Sequence, residues 1–399
     1  RSSSLRASVL LPDEGRPVSQ RTTPDVVSIS MFRAKEGVGG GGIDGMVSQA
    51  RDMGGVKVLA NSDLRGGRDQ GDVVFRQDGG KIDDAAIECD FVEIGMAARE
   101  RVGFEQHPTT GVRWVNSEGD GLPGLVIDRY DEQLVVQLGT APMVARQGEI
   151  VASLRARFAG PIHVVRTASA AKAEGFEPGV ERDGDDPELR FVEHGLRFRV
   201  PAPPSQKTGA YLDQRANRRR VAELARHGGG PLLDLGCHVG GFALHAAAAG
   251  VAAVGVDQSA AMLELAARHA AINELVGLTW VEADMFGALD DPRLAGPFGT
   301  IVVDPPKIAA RRRDVDRAAA AMERMVARVA ARLTVGGHLV LCSCSHHVGR
   351  EHLDRFALAS SGRWARVASL GADVDHPVAP GHVEGEYLRV AIYQRRDRA

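Results

Sequence analysis

The sequence predicts an α/β fold built on an open, mostly parallel sheet. A short apolar strand, a glycine turn, an Ala-rich helix and a second apolar strand follow one another in PLLDLGCHVGGFALHAAAAGVAAVGVD, residues 231–257. Further apolar runs recur in phase at LTWVEAD (278–284), GTIVVDPPK (299–307) and HLVLCSCS (338–345). Each run ends in an acid or a thiol, namely Asp257, Asp284, Asp304 and Cys344. The carboxyl ends of parallel strands are where open α/β sheets place their ligands.

In the first unit Gly236, Gly240 and Gly241 make the turn, and Asp257 lies about 20 residues further on, the spacing of a ribose-binding carboxylate. The spacing is G-x-x-x-G-G with Asp234 ahead of it. That is not the G-x-G-x-x-G turn that grips a dinucleotide pyrophosphate. It suits S-adenosylmethionine, which has no phosphate and needs only adenosine and methionine contacts. Asp284 is placed to reach an adenine amino group. RWARVASL (363–370) and EYLRVAIYQ (386–394) supply two more strands, with a helix at 350–361 before them. The expected sheet therefore has seven strands with the last antiparallel, a class I methyltransferase-like domain.

Bulk properties set the frame. A chain of 399 residues is long enough for two or three domains. Its formal net charge of -3 gives no global attraction to nucleic acid, so such binding must come from local patches. No apolar run approaches the length of a membrane span. The cysteines are Cys89, Cys237, Cys342 and Cys344, scattered thiols that do not resemble a disulfide framework and fit a reducing, cytoplasmic setting. RSSSLRASVL at the start is Arg/Ser-rich and acid-free, a faint likeness to a transit peptide.

Residues 1–81 are poorly patterned, with a glycine run at 39–42 and strand-like pieces only at VKVLA (56–60) and DVVF (72–75). Apolar residues at helical spacing fill 82–102, with Cys89 inside the pattern. WVNSEGDGLPG is turn-rich, and LVIDRY and QLVVQL read as a hairpin joined by Asp131-Glu132. Glu118, Asp120 and Asp128 read as turn and surface residues. A helix near 143–158, a strand at 162–167 and a hairpin over 191–201 with Gly195 at its turn complete a central α+β domain, residues 82–200. The methyltransferase domain is expected over 201–399.

SEGDGLPGLVIDRY, QKTGAYLDQR, the glycine turn with GGF, VDPPK, CSCS and DHPV…EGEYL occur in this order. Over about residues 82–399 the chain resembles the RlmI-type bacterial 23S ribosomal RNA 5-methylcytosine methyltransferases. The resemblance implies an N-terminal PUA domain, a central α+β domain and a C-terminal Rossmann-like methyltransferase. Residues 1–81 are short and glycine-rich for an intact PUA domain, so a degenerate PUA-like region is expected there. Cys237-His238 stands in the glycine turn where the pattern has an aromatic or hydroxyl residue.

The resemblance implies a cofactor site of Asp234, Gly236, Gly240, Gly241, Phe242, Asp257, Gln258, Asp284, Met285 and Asp304, with Asp213 and Gln214 from the LDQR segment. It implies substrate contacts from Pro305, Pro306, Lys307, Lys207 and Arg215, and catalysis by Cys344 and Asp304. The chemistry needs such groups. Carbon 5 of cytosine becomes nucleophilic only when a thiolate adds to carbon 6. Cys342 and Cys344 lie two apart and share a side of the strand; Cys344 is further out and matches the family nucleophile, while Cys342 reads as core. The prolines hold the loop that presents Asp304. A zinc site from Cys342, Cys344, His346 and His347 is disfavoured because the ligands are too close in sequence to wrap one ion, and no metal is expected.

Arginines 311–313 and Arg215 with Arg218–Arg220 form two basic clusters suited to RNA backbone. The expected partner is 23S ribosomal RNA, with no membrane, and a homodimer is compatible with the sequence. Two other readings stay open: methylation of a base nitrogen or a small molecule, and a non-catalytic RNA- or cofactor-binding protein. Lys307 in place of an aromatic after the prolines argues against an exocyclic-amine enzyme. Retention of Asp304 and Cys344 argues against a non-catalytic role.

Overall fold

The computed structural model describes residues 109–202, 210–308 and 312–396 and three short strands nearer the N-terminus. Those strands, β1 (Val27–Ile29), β2 (Lys57–Val58) and β3 (Val73–Arg76), pair antiparallel in the order β1-β3-β2. They belong to one compact unit, Arg1–Glu88. The strand-like pieces at 56–60 and 72–75 coincide with β2 and β3. The helix expected over 82–102, Cys89, Lys207 and Arg311 lie outside the described residues.

The second unit, Cys89–Ala399, carries two larger sheets. The first takes β4 (Gly111–Asn116), β5 (Leu125–Tyr130), β6 (Gln133–Leu138), β7 (Ile162–Arg166) and β8 (Gly179–Glu181) in chain order. Only β6 and β7 pair in parallel there, because α1 (Ala141–Ala145) and α2 (Gln147–Arg155) carry the chain across between them. Ile150 and Leu154 of α2 bury against Leu125, Ile127 and Val136. The single helix expected at 143–158 is thus two. Asp128, expected at the surface, is fully buried on β5, where both its oxygens accept from Arg113 at 2.8 and 3.1 Å. α3 (Ala168–Glu174) follows β7. The hairpin β9 (Glu188–Glu193) and β10 (Leu196–Pro201) turns at His194 and Gly195, both at positive φ (48° and 88°), which matches strand twist.

The seven-stranded sheet contains β11 (Leu232–Leu235), β12 (Ala253–Asp257), β13 (Leu278–Glu282), β14 (Phe298–Val303), β15 (Leu333–Ser343), β16 (Arg363–Leu370) and β17 (Arg389–Arg396). Its order is β13-β12-β11-β14-β15-β17-β16, and β17 runs antiparallel to both neighbours. This is the sheet expected from the sequence, although β15 starts five residues earlier than the apolar run at 338 suggested.

Alternation along the central strands builds two cores. Leu235, Ile301, Val303, Leu339 and Leu341 face α7 (Val315–Ala330) and α8 (Arg350–Leu358). Leu232, Val302, Val340 and Cys342 face α4 (Arg215–Ala225) and α5 (Gly241–Ala248). α6 (Ala260–Ile272) joins β12 to β13 and also meets β10. A third core draws Tyr130 and Val135 of the five-stranded sheet, Phe191 and Phe198 of the hairpin, and Leu244 and Ala270 of the methyltransferase helices into one cluster.

Candidate active site

The carboxyl ends of β11, β12, β14 and β15 meet along one edge of the sheet, because these strands are parallel neighbours in register. The turn after β11 is the tightest part. Gly236 sits at φ 81°, and a Cβ there would collide with the Asp304 carbonyl. Gly240 sits at φ 84°, and a Cβ there would lie 2.7 Å from the Trp280 ring. Glycine alone takes these backbone angles and approaches without cost.

Below that turn Asp234 is wholly buried. Its Oδ2 accepts from the Ala243 N–H at 3.2 Å, while Oδ1 has no partner. Burial pushes this carboxyl up to about 7, with the Asp304 charge adding to the shift and the Ala243 N–H opposing it. Asp257 holds the neighbouring turn: Oδ2 accepts from the His238 N–H and Oδ1 from the Ser259 N–H, both at 2.9 Å. His238 takes a positive φ of 50° to make that bond, and its ring meets Tyr211 edge-on at 5.1 Å. Asp284 caps its own turn by accepting from the Phe286 N–H at 3.1 Å.

Asp304 directly follows β14 and Cys344 directly follows β15. Gln214 donates from Nε2 to Asp304 Oδ2 at 3.1 Å, and Asn217 donates to Gln214 Oε1 at 2.7 Å, which fixes the amide's direction. Cys344 is half-buried, whereas Cys342 is a core residue whose thiol burial pushes well up. Tyr211 ties the parts together. Burial and the nearby charges of Asp304, Cys344, Asp213 and Asp257 push its hydroxyl up to about 12, so it remains a neutral phenol. Beside Tyr211 a cleft of about 200 Å³, lined by Arg113, Gln137, Asp213, His376 and Tyr387, opens against the five-stranded sheet. Asp213 accepts from the Tyr387 hydroxyl at 2.6 Å in its wall.

The structure gathers Asp234, Gly236, Gly240, Gly241, Asp257, Asp284, Gln214, Asp304 and Cys344 at this edge, with Pro305 buried and Pro306 and Lys307 exposed beside it. Phe242 and Met285 lie in the cores beneath, and Gln258 is exposed after β12. Arg215 is placed elsewhere. Its guanidinium is buried and pairs with Asp373 at 2.8 Å and Asp375 at 2.9 Å while donating to the Gly111 carbonyl. Arg218 is likewise spent on Glu193 at 2.7 Å, and Arg219 and Arg220 face Glu223. The basic cluster expected at 215–220 is therefore mostly structural, because its acidic partners are distant in sequence or pack one turn away. Tyr211 was not singled out by the sequence, since it lies inside QKTGAYLDQR and the pattern gave no side-chain direction for it; His238 stood out only as a departure in the glycine turn, not as a neighbour of Tyr211.

The residues present fit S-adenosylmethionine: a glycine turn with no room for a Cβ, an unpartnered buried carboxylate oxygen at Asp234, and an acid at the end of β12. Residues 136–373 match the S-adenosylmethionine-dependent methyltransferase family. The chain belongs to that family. It is 35% identical over 302 residues to a ribosomal RNA large subunit methyltransferase of Deinococcus radiodurans, covering 72% of each chain. It is 33% identical over 321 residues to ribosomal RNA large subunit methyltransferase I of Shewanella denitrificans, covering 76% of this chain and 80% of that protein. The resemblance carried by the motifs is thereby borne out, and S-adenosylmethionine is the cofactor of this methyltransferase. A Streptococcus mutans protein described as an S-adenosylmethionine-dependent methyltransferase superposes with a TM-score of 0.66 at 17% identity, over 81% of this chain and 85% of that one, which shows the shared fold. Among the described residues no helix is long and apolar enough to cross a membrane.

Proposed function

We propose that this methyltransferase acts on large-subunit ribosomal RNA and forms 5-methylcytosine through a covalent bond from Cys344. The observation that carries this reading is the pair of adjacent strand exits. Asp304 and the half-buried Cys344 leave neighbouring parallel strands beside the glycine turn, while Cys342 is sealed in the core.

Bound S-adenosylmethionine supplies a sulfonium methyl. The Cys344 thiolate adds to carbon 6 of cytosine, and the electron pair of the 5,6 bond moves to carbon 5. Asp304, held by Gln214, meets the N3/N4 edge of the base and favours the proton there that the addition requires. Carbon 5 takes the methyl group, and the donor's carbon–sulfur bond breaks with its electrons left on sulfur. A base then removes the carbon 5 proton, and the electrons of that bond expel Cys344 as thiolate. A target within a duplex would have to be turned out of the stack. Dispersed cysteines and this substrate fit a cytoplasmic setting, and the central residues 82–200 and methyltransferase residues 201–399 would present the RNA together.

Large-subunit ribosomal RNA containing 5-fluorocytosine tests the proposal. Fluorine at carbon 5 cannot leave as a proton, so the enzyme stays bound to its target on a denaturing gel. The adduct is expected with wild-type protein and absent with Cys344→Ser. Methyl transfer to ordinary RNA without any trapped adduct would overturn the cysteine mechanism and favour methylation of a base nitrogen.

A further inference from the structure

Arg389 opens β17 and stands directly opposite Ser343 in the antiparallel register with β15, one residue before Cys344. Its side chain is half-buried, and its Nη1 is shielded from solvent with no hydrogen-bond partner. The guanidinium makes no ion pair among the described residues. Other sheltered arginines of this chain behave differently: Arg113, Arg215 and Arg218 are each locked onto carboxylates. Sheltered cations are normally paired, so an unmet guanidinium points to a missing anion.

A second cation converges on the same place. Lys307 follows the Asp304-Pro305-Pro306 turn, is exposed and has no ion pair among the described residues. The two cations flank the loop that begins with Cys344 and contains His346, because β14 and β17 pair with β15 on opposite sides. Burial first, then the positive charges of Lys307, His347 and Arg389, hold the His346 imidazole below its ordinary pKa, with only Glu384 opposing. Three elements thus bring two permanent charges to the end of β15 where the nucleophile's loop begins: the turn after β14, the loop after β15 and the start of β17.

We propose that Arg389 and Lys307 form a phosphate-binding subsite that takes a backbone phosphodiester of the RNA next to the methylated nucleotide. This rests on RNA being the substrate. The planar guanidinium suits two phosphate oxygens and the ammonium adds a point charge. A phosphate held beside the Cys344 loop fixes where the turned-out nucleotide enters and carries no sequence information, so it sets register while other contacts choose the base.

The test is binding of large-subunit ribosomal RNA by the full chain over a range of potassium chloride concentrations, read by filter retention. Arg389→Gln is expected to weaken binding roughly 10- to 100-fold. The slope of log affinity against log salt should become shallower by about 0.7, the loss of one phosphate contact on an unpaired strand. Arg389→Lys should restore the slope, and the exposed Lys307→Gln, which disturbs no packing, should lower it on its own. Affinity for S-adenosylmethionine should stay unchanged. An unchanged slope in both Arg389→Gln and Lys307→Gln overturns the subsite. Intact RNA affinity with slower alkylation of Cys344 in Arg389→Gln would also overturn it, assigning the guanidinium to the thiol. Nucleoside analysis of the product reports separately which base is methylated, so a wrong base would sink the cytosine reading and leave the salt slopes standing.

Discussion

A single buried carboxylate shows how the site trades stability for ligand capacity. Asp234 has one oxygen on the Ala243 N–H and one with no partner, and its burial raises it to about 7. In the unfolded chain an aspartate titrates near about 3.9. The protonated folded form is therefore favoured at low pH, and that advantage is lost as pH rises from about 4 through about 7. Asp234→Asn keeps the shape and an acceptor for the Ala243 N–H but cannot ionise. Chemical denaturation should show the variant gaining on wild type across that range, by up to about 4 kcal/mol above pH 7, while its affinity for S-adenosylmethionine falls. A gap that stays the same at pH 4 and pH 8 would mean that Asp234 is ionised in the fold at both. The sequence marked this aspartate by its place before the glycines, but its missing partner depends on how the strands pack and could not be read from spacing.

At the scale of elements, the glycine turn and the Arg215 clamp illustrate what pattern does and does not reveal. The turn was legible because its constraint is local: Gly240 must take a left-handed angle beneath Trp280. Gly240→Ala should cost about 2–4 kcal/mol from strain and overpacking, seen in the denaturation midpoint, and should weaken cofactor binding by closing the turn. Strands β11, β12, β14 and β15 were equally legible, as apolar runs that stop at an acid or thiol. The amphipathic helix α7 buries Met322, Met325, Val326 and Val329 at spacings of three and four, a local pattern as legible as the strands although the sequence reading names no helix there. The clamp was not legible at all. Arg215 sits in an arginine-rich stretch that reads as an RNA surface, yet its partners Asp373 and Asp375 arrive from beyond β16. Burial raises both carboxyls; at Asp373 it prevails over Arg215, whereas a hydrogen bond with His376 and the Arg215 charge take Asp375 well below the carboxylate range. Arg215→Met strands two buried carboxyls and should lower stability at pH 7 by about 3–5 kcal/mol. Because the lowered Asp375 contributes stability above about pH 4 that disappears as pH falls, the difference from wild type should shrink in acid.

Across the whole second unit, the question is whether its two sheets hold together as one body. The sequence suggested separate central and methyltransferase domains, since the hydrophobic patterns of each are self-contained. The packing adds a core that belongs to both: Tyr130 and Val135 from the five-stranded sheet meet Phe198 of the hairpin and Leu244 of α5. Polar ties reinforce it. Asp375 accepts from the Arg113 N–H at 3.0 Å, Asn116 donates to the Pro377 carbonyl at 2.8 Å, and the buried Arg218–Glu193 pair joins α4 to β9. The cleft beside Tyr211 lies between these same elements, so its shape depends on their staying docked. Calorimetry should therefore record one unfolding transition for the two sheets. S-adenosylmethionine should shift that transition upward as a whole, by an amount that grows with the logarithm of its concentration above the dissociation constant. Phe198→Ala, which removes a ring stacked on Phe191 at 5.1 Å, should lower the same transition by about 3–5 kcal/mol without splitting it. Two transitions, of which only one responds to the cofactor, would show that the sheets fold independently and that the cleft is a junction free to open.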